Sequence, residues 1–135
     1  MQPVHVNVVA FVVAVVIKQA LGGVWFSPVG FGPVWMRLTG RTPEQMKRGM
    51  AGGLIVDIIA GIVLAFVLLH AVVYAGATSI GQGAGVGFAN WLGIAAVATL
   101  PMVTFEHRPM KLWWIYNAYF AIAFVIMGAI FAVWR

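Results

Sequence analysis

Two residues of opposite charge lie deep inside apolar runs, Lys18 and Asp57. An ionised group at membrane depth is costly and takes a partner. A Lys–Asp pair there supports three kinds of chemistry: a structural ion pair, a proton or ion relay, or a counter-ion for a charged substrate. A second set is Glu106-His107-Arg108. Imidazole is the side chain that exchanges protons near neutral pH, so this triplet reads as a hydrogen-bonded turn or as a proton-accessible site. Asn117 lies at a similar level and adds an amide that can hydrogen-bond inward. His5, Asn7, His70 and Asn90 fall near the opposite ends of their apolar runs. They contain no His-x-x-x-His pair or carboxylate, and asparagine is a poor zinc or copper ligand. They read as interfacial polar residues, and no metal is expected. Cysteine is absent, which excludes disulfides, thiol catalysis and thiolate metal sites. There is no His-Glu-x-x-His, Gly-x-Ser-x-Gly or phosphate-cradling loop. The alternating Gly81, Gly83, Gly85 and Gly87 lack the strand-and-helix setting of a nucleotide loop. No cofactor is expected, and the chain reads as non-enzymatic.

The elements that must position Lys18 and Asp57 carry small residues at helical spacing. From Gly49 the stripe runs Gly53, Asp57, Gly61 and Ala65, each four residues on, which is one face of a helix. The first apolar run supplies Ala10, Ala14, Lys18 and Gly22. Such stripes let membrane helices approach closely. With Lys18 opposite Asp57 in an antiparallel hairpin, Ala14 is expected against Gly61, Ala10 against Ala65 and Gly22 against Gly53. Both charges would lie about 10–12 Å inside the same membrane face.

Only 8% of the 135 residues are charged and 63% are hydrophobic, far from a soluble domain. The expected fold is all-α: one four-helix transmembrane bundle with antiparallel neighbouring helices, spanning residues 4–26, 43–74, 86–105 and 110–134. Met1-Gln2-Pro3 lacks a basic n-region, so the first run is expected to stay as a helix. Pro28, Gly30, Gly32 and Pro33 predict a turn-rich, non-helical segment lying on the membrane surface. Thr42-Pro43-Glu44-Gln45 has the pattern of a capping box. Residues 75–85 read as a flexible link, and Pro101 predicts a bend near Val97. The connectors after the first and third helices hold six of the eight basic residues, and the glycine-rich link holds none. The positive-inside rule then places both connectors in the cytoplasm and both termini outside. The net charge of +5 is a topology and headgroup signal, not a nucleic-acid patch.

Several landmarks recur in a known order: Asn7, Gly23-Val24-Trp25-Phe26-Ser27-Pro28, Phe31-Gly32, Trp35, Asn90-Trp91-Leu92-Gly93, Phe105-Glu106-His107-Arg108-Pro109, Asn117-Ala118-Tyr119 and Gly128. In these the chain resembles the bacterial integral-membrane family called domain of unknown function 1761. The resemblance implies a four-helix protein of the bacterial cytoplasmic membrane and no particular reaction.

Three mechanisms follow from the residues. The first is a non-enzymatic membrane protein clasped by Lys18–Asp57. The second is a small transporter or proton-coupled channel working through Asp57 and Lys18. The third is a structural or assembly subunit, homo-oligomer included, docking through Ala89-Gly93 or the Ala121–Gly128 stripe. The lipid bilayer is the expected partner, and no substrate is implied. A water-filled cavity reaching Asp57 would favour transport; dry packing would favour structure.

Overall fold

The computed structural model describes residues 4–134. Residues 1–3 and 135, which bear on the leader and C-terminal readings, lie outside the described residues. Five helices follow in order: α1 (Val8–Trp25), α2 (Gly32–Thr39), α3 (Pro43–Tyr74), α4 (Ile80–Phe105) and α5 (Met110–Val133). Four of them, all but α2, are long and apolar enough to cross a membrane. Among the described residues the regular structure is entirely helical.

The helix boundaries have local causes. Asn7 Oδ1 accepts from the Ala10 N–H and starts α1. Thr42 and Gln45 form the reciprocal capping box that starts α3, with a proline in its first turn. Ser79 Oγ accepts from the Gln82 N–H and starts α4. That cap corrects the flexible-link reading of residues 75–85: helix begins at Ile80, and the true link is residues 75–79. The turn-rich reading holds for residues 28–31, which are turn, but is corrected from Gly32 on, where α2 begins. Pro33 sits in the first turn of α2, where its missing N–H is harmless, and Gly40 closes that helix at φ 68°.

Two helices end in the same device. At the end of α3, Gly76 takes φ 66°, its N–H donates to Val73 O, and the Ala77 N–H donates to Val72 O. At the end of α4, His107 takes φ 52°, its N–H donates to Thr104 O, and the Arg108 N–H donates to Val103 O. These are Schellman closures, with histidine in the second where glycine is usual. Proline then follows and leads directly into α5.

Helix α5 is the centre of the molecule. Half of its most apolar stretch is buried, against 17–22% for the other three long helices. Its closest neighbour is α4. A Cβ on Gly83 would strike the Gly128 carbonyl oxygen and Ala132, and one on Gly87 would strike the Phe124 carbonyl. Farther along, Thr99 meets Trp113 and Asn117. Positions therefore rise along α4 as they fall along α5. This seam corrects the reading of Ala121–Gly128 as an outward docking stripe, since Gly128 is buried against Gly83.

Aromatic side chains tie α1 and α2 to the first half of α5. Trp25 Nε1 donates to Ile115 O at 2.9 Å, and Trp35 Nε1 donates to the Tyr116 hydroxyl. Phe26 lies against Trp35, Tyr116 and Tyr119. The tryptophan–aromatic–Ser-Pro landmark is thus the hinge that folds α2 back onto α5. Toward the other end, Ala14, Ala65, Leu68, Val72, Met127 and Phe131 share one apolar core.

Candidate functional site

Lys18 is 2% exposed, and its ammonium is fully engaged. Nζ lies 2.5 Å from Asp57 Oδ1, 3.2 Å from the Asp57 carbonyl oxygen and 3.0 Å from Gln19 Oε1. An ammonium has three donors, and here three acceptors surround it. The Asp57 side chain is 43% exposed, so the pair is closed on the lysine side and open on the aspartate side.

Two glycines make room for this arrangement, in ways the stripe alone did not reveal. Gly61 is buried, and a Cβ on it would stand 3.2 Å from Lys18 Cδ. The lysine stem lies across Gly61, one turn from Asp57, so Gly61 faces Lys18. Gly22 lies beneath Tyr119: a Cβ there would stand 3.0 Å from the Tyr119 hydroxyl. That hydroxyl donates to Lys18 O at 3.2 Å. Tyr119 therefore fastens α5 to the turn of α1 that carries Lys18, a role not read from the sequence.

The half of the expected α1–α3 register nearest the basic connector does not form. Gly49 and Gly53 are exposed, and a Cβ on either would meet nothing within 4 Å. Gly22 is occupied by α5, so it is not available to Gly53. Ala10, Ala14 and Ala65 are fully buried. The packed part of the stripe thus starts at Asp57 and runs away from the basic connector.

Glu106, His107 and Arg108 sit on the exposed turn between α4 and α5. Arg108 Nε lies 2.5 Å from Glu106 Oε2, with both side chains about half exposed. Together with the Schellman closure, this ion pair shapes the Glu-His-Arg-Pro turn. Of the four polar residues near the opposite ends, three bond within their own helices or caps. Asn7 caps α1, His70 Nδ1 lies 2.7 Å from Phe66 O, and Asn90 Nδ2 donates to Val86 O; His5 is exposed.

Asn117 is placed differently. It is 3% exposed on α5, and Nδ2 donates to Trp113 O at 3.2 Å and to Thr99 Oγ1 at 3.4 Å. Thr99 Oγ1 also accepts from Trp113 Nε1 at 3.0 Å, while its own hydroxyl lies 2.8 Å from Ala95 O. Asn117 Oδ1 has no hydrogen-bond partner. The amide cannot be turned to relieve this, because Trp113 O only accepts and must face the NH₂ group. Thr99 and Trp113 complete this network and were not among the residues singled out from the sequence. Trp91–Ala96 of α4, just before Thr99, is a π-helical turn, a feature found often at functional sites.

The Asn117 network borders an apolar groove of about 450 Å³, walled by α3 (Ala60, Leu64) and α4 (Ala95, Thr99, Val103) and floored by α5. Arg108 stands at one end and Phe124 at the other. Leu64 and Phe124 also line a smaller recess of about 200 Å³ with Asn90 and Ile94. Neither cavity is lined by Lys18 or Asp57.

Comparison with known proteins returns one kind of relative. Residues 9–132 match the family model described as "Protein of unknown function (DUF1761)". No curated protein and no solved structure matches the chain. The match spans all four long helices and both connectors, and the chain belongs to this family of proteins of unknown function.

Proposed function

We propose that this chain is a non-enzymatic, four-span protein of the bacterial cytoplasmic membrane, in which Lys18–Asp57 is a structural clasp between α1 and α3. One observation carries the clasp reading: every Lys18 donor has an acceptor, and the residue is buried. A relay lysine needs a free donor, and none is left on Lys18. Neighbouring spans run antiparallel, with the basic connectors in the cytoplasm and both termini outside. The charge bias of the connectors supports that orientation.

A transport reading is second, favoured by the exposure of the Asp57 side chain. Proteoliposomes loaded with a pH-sensitive dye separate the two. The clasp reading expects no proton flux above that of empty vesicles after a pH jump. A flux abolished by Asp57→Asn would replace it with the transport reading.

A further inference from the structure

We infer that the groove between α3 and α4 binds one long-chain amphiphile whose hydroxyl donates to Asn117 Oδ1. The inference is independent of the clasp, which neither cavity touches. Its volume of about 450 Å³ falls in the roughly 300–1,000 Å³ range of small-molecule sites, which pair apolar walls with a few fixed polar groups. Leu64 and Phe124 extend the same walls into the adjoining recess. Along α5, the stretch from Asn117 to Phe124 offers an apolar track of about 10 Å.

The polar requirement comes from Asn117. A buried acceptor without a donor is rare and costly, and a ligand that pairs it gains that much. The amide orientation is fixed by the Trp113 carbonyl, so the ligand must donate. A carboxylate only accepts. An ammonium would lie in a groove whose one charged lining residue is the cation Arg108. A neutral hydroxyl satisfies both conditions. Oδ1 has almost no surface of its own, so the hydroxyl reaches it by parting the side chains above it. The π-helical turn in the α4 wall is the place to yield. Ala95 belongs to that turn and lines the groove, and Thr99 supports its carbonyl.

The test uses the full chain in detergent and two probes, a long-chain alcohol brominated a few carbons from its hydroxyl and its methyl ether. Bromine quenches tryptophan fluorescence on contact, and Trp113 lines the groove. The alcohol should quench saturably and bind roughly 2–10-fold more tightly than the ether, the worth of one neutral hydrogen bond. Asn117→Leu should bring the alcohol down to the ether's affinity. Ala60→Phe, on the exposed α3 wall, should remove saturable quenching by both probes and tests the site without touching the polar network. Equal affinities for alcohol and ether in the wild type, or saturable quenching that survives Ala60→Phe, would overturn the proposal.

Discussion

Gly83 of α4 and Gly128 of α5 meet backbone to backbone, and neither position has room for a Cβ. Leucine at either should force the central pair of helices apart. The expected cost is at least about 3 kcal/mol, the upper range for overpacking. Gly53→Leu should change stability by less than about 0.5 kcal/mol, since that site is open. Thermal melts in detergent at equal protein concentration check the contrast. Comparable losses at Gly53 and Gly83 would contradict the seam.

Tyr119→Phe should cost about 0.5–1.5 kcal/mol through loss of one neutral hydrogen bond to Lys18 O. Gly22→Ala brings a methyl to 3.0 Å from the same hydroxyl. It should therefore be milder in the Tyr119→Phe background than in the wild type. A denaturant series on the four proteins measures that coupling.

Thr99→Val removes an acceptor shared by Trp113 Nε1 and Asn117 Nδ2. It leaves a buried donor on each side, with an expected loss of about 1–3 kcal/mol. Tryptophan emission should also shift, because Trp113 loses its hydrogen bond. An unchanged spectrum together with unchanged stability would count against the network.

Orientation is checked by reporter fusions. Fusions in the 75–79 link and after Arg135 should report the periplasm, and one at Gly40 the cytoplasm. A cytoplasmic signal at either of the first two positions contradicts the topology drawn from the connector charges.

Features written in short-range chemistry were legible in the sequence. Thr42 and Gln45 announce a helix start whatever packs around it. Lys18 and Asp57 announce each other because each is costly alone in an apolar run. Partner choice among three helices was not legible. Gly22 has the right spacing to meet α3, but Tyr119 of α5 fills the space first. The glycines of residues 81–87 read as a link because glycine weakens helices in water. Gly83 and Gly87 nevertheless lie four apart on one face, and that face packs directly on the α5 backbone. The spacing rule would have found it had the run been read by fours. The π-helical turn and the unpaired Asn117 oxygen arise where α4 meets α5, in contacts between residues far apart in the chain. No local pattern encodes that.

The clasp is tested most directly by a double-mutant cycle on Lys18 and Asp57, read as unfolding free energy in detergent. Removing one partner of a fully buried pair costs about 3–5 kcal/mol, whereas replacing both can be near neutral. The single losses should fall below that range, because a charge stranded at this depth can snorkel toward the nearby interface. Asp57→Asn and Lys18→Met should each destabilise by more than about 1 kcal/mol, and the double variant should recover enough to give a coupling of at least about 1 kcal/mol. Single losses that add to within about 0.5 kcal/mol would contradict the clasp.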